Sequence, residues 1–139
     1  MNLPGIQQSP LILVVDDAPD SIEPIVQCLQ RAGFRTRIAT NGERALDLAA
    51  SPPLPDLILL DITMPDRNGY EVCRALMNDP LTASIPVIFL TIRNEEVDEQ
   101  RGFDAGAVDY ITKPISPPLV LTRIRSEEHT SELQSHHDL

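Results

Sequence analysis

The chain has 139 residues, 42% of them hydrophobic and 23% charged, which suits one soluble globular domain with a real core. A net charge of −10 argues against a nucleic-acid surface, and no apolar run approaches the ~20 residues of a membrane span. Residues 1–10 have neither a basic flank nor an apolar stretch, so no signal peptide and a cytoplasmic location are expected.

Residues 1–9 read as a flexible N-terminus. Residues 11–15, Leu-Ile-Leu-Val-Val, form an all-apolar strand that ends in Asp16-Asp17. A helical stripe follows over 19–33 through Ile22, Ile25, Val26 and Leu29. Ser21 is expected to cap it, which would put Pro24 in the tolerant first turn, and Gly33 to end it. Residues 35–39 read as a polar strand. Asn41-Gly42 opens a short helix through Ala45, Leu46 and Ala49, stopped by Pro52, Pro53 and Pro55. Residues 56–61, Asp-Leu-Ile-Leu-Leu-Asp, are an apolar run closed by a carboxylate, the pattern of a strand buried on both faces. A helix is expected from Gly69 to Asn78, with Val72, Cys73, Leu76 and Met77 on one face. Residues 86–90 are another apolar strand ending in Thr91. Residues 95–105 are a weaker helix with Glu95 and Glu96 in its first turn. Residues 108–111 are a short strand before Lys113-Pro114, and a last helix begins near Pro117. Cys28 and Cys73 lack metal-ligand spacing and read as buried free thiols.

Strands and helices alternate five times, which predicts an α/β fold with a doubly wound, five-stranded parallel sheet in three layers. The first, third and fourth strands are apolar throughout and belong inside. The second and fifth carry polar residues and belong at the edges. With right-handed crossovers, the order that satisfies this is 2-1-3-4-5. Its topological switch lies between the first and third strands, where ligands bind at the carboxyl ends.

Asp16, Asp17, Asp61, Thr91 and Lys113 are delivered to that edge by four different strands. Converging carboxylates repel one another, and a hard cation resolves the conflict. Mg²⁺ suits two carboxylates plus a backbone carbonyl. Lys113 is the single lysine beside ten arginines and adds a compact positive charge. Thr91 offers a hydroxyl to a phosphoryl oxygen. Together these groups make an electrostatic clamp on a transferring phosphoryl group. Taken singly, each has an ordinary reading: Asp16-Asp17 as a helix entry, Asp61 as a turn former, Thr91 as a strand end, Lys113 as a solvated surface residue. Their joint placement on one sheet edge separates the readings.

Asp16-Asp17, Asp61, Thr91 and Lys113-Pro114, in this order, resemble the receiver domain of two-component response regulators, the CheY-like superfamily of flavodoxin-like fold. The resemblance covers about residues 10–125. It implies that Asp61 accepts a phosphoryl group from the phosphohistidine of a sensor histidine kinase or a histidine phosphotransfer protein. It implies Mg²⁺ as cofactor, held by Asp17, Asp61 and the backbone carbonyl of Thr63, with Asp16 acting partly through water. Thr91 and Lys113 would hold phosphoryl oxygens. Thr91 and Tyr110 would switch the surface around the fourth helix and fifth strand, where a dimer is an option. The peptide before Pro114 would be cis. Beyond its own phosphorylation and dephosphorylation, no enzyme activity is implied.

Ile92 departs from the small residue usual after the Thr, and would narrow access to Asp61. Thr63 and Arg93 flank the site and bear on phosphoryl lifetime. Two other functions compete. A haloacid-dehalogenase-type phosphohydrolase would carry a second Asp two residues after its nucleophile, where Thr63 stands here. A degenerate receiver used only for protein contact has Ile92 as its sole support. Residues 126–139 contain all three of the chain's His residues and no Lys or Arg, and read as a non-native, adaptor-derived tail. The last helix is then expected to be cut short and an output domain to be missing downstream of Ile124.

Overall fold

A computed structural model describes residues 9–92, 104–113, 116 and 118–127. Its elements run β1 (Leu11–Val15), α1 (Pro19–Arg31), β2 (Arg35–Ala39), α2 (Gly42–Ala49), β3 (Leu57–Asp61), α3 (Gly69–Asn78), β4 (Val87–Ile92) and β5 (Asp109–Lys113). A C-terminal helix covers 118–127. The sheet is parallel throughout, in the order β2-β1-β3-β4-β5 expected from strand polarity.

Strand alternation divides the core into two layers. Leu13, Val15, Ile58, Leu60, Val87 and Phe89 face α2 and α3, where they meet Ala45, Ala49, Val72, Cys73 and Leu76. Ile12, Val14, Leu57, Leu59, Ile88 and Leu90 face the other way, onto Ile22, Ile25 and Leu29 of α1 and Val120 and Ile124 of the C-terminal helix. All the residues of β1 and β3 are buried, so these strands need side chains that are apolar on both faces. Edge strand β2 buries only Ala39 fully. Asp56, just ahead of β3, accepts a 2.7 Å hydrogen bond from the Leu11 amide and ties the entry of β1 to that of β3.

Three local expectations are corrected. Helix α1 starts at Pro19, with Ala18 rather than Ser21 as its N-cap, so Pro24 lies inside the helix. Pro19 supplies a preset φ, and Asp16 Oδ1 accepts the Ala18 amide at 3.0 Å, so no hydroxyl cap is needed. Strands β4 and β5 both run farther than apolarity suggests, to Ile92 and Lys113, because the parallel ladder pairs Thr91 with Thr112 and Ile92 with Lys113. Cys73 is buried, but Cys28 is only half-buried, in a groove beside Arg31 and Leu121.

Other expectations hold. Gly33 ends α1 with φ +93°, and its amide and that of Phe34 return to Gln30 O and Leu29 O, the paired bonds of a Schellman turn. Asn41 opens α2 as expected, its side-chain oxygen accepting from Arg44 N; Asn68, not singled out in the sequence, caps α3 by accepting from Glu71 N. Residues 95–103 of the expected weaker helix lie outside the described residues, while Asp104 and Ala105 are helical. The expectations for Arg93, Pro114, residues 1–8 and residues 128–139 also fall outside, as do those for the side chains of Ile92 and Lys113.

Candidate functional site

The carboxyl ends of β1 and β3 meet at the switch point. The Asp16 amide donates to Ala39 O at 3.1 Å, extending the β1–β2 ladder by one step and holding Asp16 fully buried. Asp17 follows on the exposed side. Asp61 closes β3 and is 5% exposed, with its Oδ1 accepting the Thr63 amide at 3.3 Å. One carboxylate oxygen from each of Asp16, Asp17 and Asp61 lies within 4.8 Å of the others. That set fits a hard divalent cation. Ligands at the Mg–O distance of about 2.1 Å stand roughly 3 to 4 Å apart around an octahedron, and oxygen is the donor Mg²⁺ prefers.

The loop from Ile62 to Asn68 frames the acids. The Ile62 amide donates to Leu90 O, and the Gly69 amide returns to Ile62 O at 2.6 Å. A Cβ on Gly69 would stand 2.5 Å from Asp61 O and 2.8 Å from Ile62 Cα, so the chain can pass here only as glycine. Farther along the loop, the Asp66 carboxylate accepts from Gly42 N at 2.9 Å and Glu43 N at 3.0 Å, the first amides of α2. Those two amides hold its pKa below the ordinary 3.8. Arg67 pairs with Glu43 at 2.6 Å. Sequence reasoning missed Asp66, because its partners lie 24 and 23 residues away and no spacing rule connects them. The close approach at Gly69 carried no sequence signal beyond the glycine itself.

Thr91 lies near the end of β4, beside the β3 edge, 4% exposed. Its Oγ1 has no hydrogen-bond partner among the described residues. Alternation sends it to the same sheet face as Phe89. The Phe89 ring sits between Tyr70, edge-on with centroids 5.2 Å apart, and Tyr110, tilted at 5.6 Å. Tyr110 is half-buried. Lys113 closes β5 in register with Ile92, one residue beyond Thr91. The structure thus brings Asp16, Asp17, Asp61 and Thr63 together, sets Thr91 on the neighbouring strand, and places the Lys113 backbone on the same sheet edge.

A pair of buried acids beside an exposed one, with a polar strand end alongside, can bind a cation and present one carboxylate to an electrophile. Proteins of known family share this framework. The response regulator receiver domain model matches residues 12–125. Over 115 residues the chain is 47% identical to a protein of Vibrio cholerae named "Probable cyclic di-GMP phosphodiesterase", covering 83% of this chain and 26% of that protein. Over 119 residues it is 39% identical to the transcriptional regulatory protein CreB of Escherichia coli, covering 86% of this chain and 51% of CreB. The chain therefore spans about a quarter to a half of the length of these relatives. The structure of a CheY-like receiver domain protein from Methanospirillum hungatei matches with a TM-score of 0.81 at 26% identity, over 91% of this chain and 98% of that one. With the family match spanning all five strands, and the strand order of the fold behind it, the chain belongs to the response regulator receiver domain family.

Proposed function

We propose that Asp61 is the phosphoacceptor of this receiver and that the groups around it serve the transfer. The observation that carries the reading is the meeting of three carboxylate oxygens within 4.8 Å at the end of β3, with Asp61 held by the Thr63 amide. An Asp61 oxygen attacks the phosphorus of a phosphohistidine. A P–O bond forms, the P–N bond breaks, and the histidine nitrogen leaves and takes up a proton. Asp16, Asp17, Asp61 and the Thr63 carbonyl are the residues that would hold Mg²⁺, which supplies charge neutralisation at the transferring phosphoryl group. Thr91 lends its buried hydroxyl to one phosphoryl oxygen, and Lys113 its ammonium to another.

Switching follows from Thr91 and Tyr110. Thr91 Oγ1, without a partner among the described residues, gains an acceptor when the phosphoryl group arrives, so the modified state draws Thr91 toward Asp61. Space released beside Phe89 admits the Tyr110 ring and changes the β5 surface. The partners are a sensor histidine kinase or a histidine phosphotransfer protein upstream, and an output domain or partner downstream. The relatives carry different functional names and are two to four times as long as the stretch they share with this chain, which supports reading this domain as the input part of a larger switch. No helix among the described residues is long and apolar enough to cross a membrane.

The test is incubation with acetyl phosphate and Mg²⁺ followed by intact-protein mass spectrometry. One hydroxylamine-sensitive phosphoryl group is expected on the wild type and none on Asp61→Asn. An unlabelled wild type, or equal labelling of the variant, refutes the assignment.

A further inference from the structure

We infer that Asp66 and Arg67 are positioning residues that pin the metal-ligand loop to the start of α2 and thereby set the affinity and selectivity of the cation site. The inference rests on Thr63 being a Mg²⁺ ligand through its backbone carbonyl. A backbone ligand has no rotamer of its own, so its position is decided wholly by what holds the loop. The loop leaves β3 at Asp61 and returns at Gly69 through the bond to Ile62 O. Between those points Met64 packs into the core under α2 and α3, and the polar side chains that fix the loop to the start of α2 are Asp66, on the amides of Gly42 and Glu43, and Arg67, on the Glu43 carboxylate.

The anchor also reaches the other half of the site. Helix α2 begins one turn after β2, and Ala39 O at the end of β2 accepts the Asp16 amide. The segment that carries Asp16 and Asp17 and the loop that carries Thr63 are therefore both fastened to one β2–α2 junction. Three acids that repel each other would spread their loops in the absence of a cation, and this junction opposes the spreading. Such preorganisation matters more for Mg²⁺, which demands a near-ideal octahedron, than for Ca²⁺, which accepts longer and irregular contacts.

The experiment measures Mg²⁺ and Ca²⁺ affinity by calorimetry at low temperature, where wild type, Asp66→Ala, Asp66→Asn and Arg67→Ala are each shown folded by circular dichroism. Removing the outer partners of a metal ligand weakens binding by about 10-fold or more. Asp66→Ala is expected to weaken Mg²⁺ by about that factor and Ca²⁺ by clearly less, so that the Mg²⁺/Ca²⁺ preference falls. Asp66→Asn, which keeps one acceptor oxygen, should fall between, and Arg67→Ala should show a smaller change of the same sign. Hydrogen exchange on the metal-free protein gives a second readout: the Thr63, Gly42 and Glu43 amides should exchange faster in Asp66→Ala. A general loss of folding would lower both affinities together and leave their ratio in place. An unchanged ratio with unchanged Thr63 exchange overturns the inference while leaving the phosphoacceptor reading intact. A wild type that binds no Mg²⁺ overturns both.

Discussion

Replacing Asp61 with asparagine should stabilise the metal-free protein while abolishing its response to Mg²⁺. Oxygens of Asp16, Asp17 and Asp61 lie within 4.8 Å of one another, so the substitution removes two repulsive pairs. At that distance each pair is worth about 1 kcal/mol in a water-like dielectric and about 3.5 kcal/mol at an effective value of 20. Asp17 is exposed, which puts its pair near the lower figure, whereas Asp16 is fully buried. Against this stands a weakened bond from the Thr63 amide, worth about 1 kcal/mol. With the Asp16 pair near the higher figure, the net expectation is about 3.5 kcal/mol of added stability, or about 10 to 17 °C in Tm for a domain of this size. Thermal unfolding at low ionic strength, with and without Mg²⁺, reads it directly. Mg²⁺ should raise the wild-type Tm and leave Asp61→Asn nearly unmoved. A variant less stable than metal-free wild type, or one that Mg²⁺ stabilises as strongly, would refute the electrostatic reasoning.

Three further outcomes can be checked. Gly69→Ala should destabilise the domain by about 1 to 3 kcal/mol in chemical denaturation, because its Cβ meets backbone that cannot turn aside, and should slow labelling of Asp61. Thr91→Val should leave unmodified stability unchanged or raise it by up to about 1 kcal/mol, since Oγ1 has no partner among the described residues to lose. The same variant should still be phosphorylated but show a weaker Tyr110 response by ring NMR shifts. Burial pushes the Cys73 thiol from 9.0 up to about 11, partly offset by Arg74. The folded state therefore favours the neutral thiol. Its contribution to stability is complete below pH 9 and shrinks as pH rises toward 11, because the unfolded thiol ionises first. Denaturation midpoints should fall across that interval less steeply in Cys73→Ala. Native alkylation at pH 8 should modify half-buried Cys28 well ahead of Cys73.

The layers of this fold are written in local chemistry. Unbroken apolar runs at 11–15 and 57–60 can be satisfied only between two covering layers, so β1 and β3 had to be central. The polar residues of 35–39 had to lie at an edge. Strand order then puts Asp16, Asp17 and Asp61 together at the carboxyl end of the sheet. Asn41-Gly42 as the opening of α2 and Gly33 as the end of α1 were legible for the same reason: each acts within a few residues of itself. The start of α1 differs from the expectation because Pro19, with its preset φ and no amide to satisfy, opens the helix without a hydroxyl cap at Ser21. The ends of β4 and β5 were set by pairing between strands, which apolarity within one strand does not encode. Tertiary structure alone decided how the acids are held. Asp66 bonds to amides 24 and 23 residues away, Asp56 to one 45 residues away, and Gly69 is required by backbone eight residues upstream. Such contacts are products of how the sheet folds back on itself, and a linear pattern carries no trace of them. Residue types and their order thus determined which groups meet at the end of β3, and the packing of loops on α2 decided the geometry in which they meet.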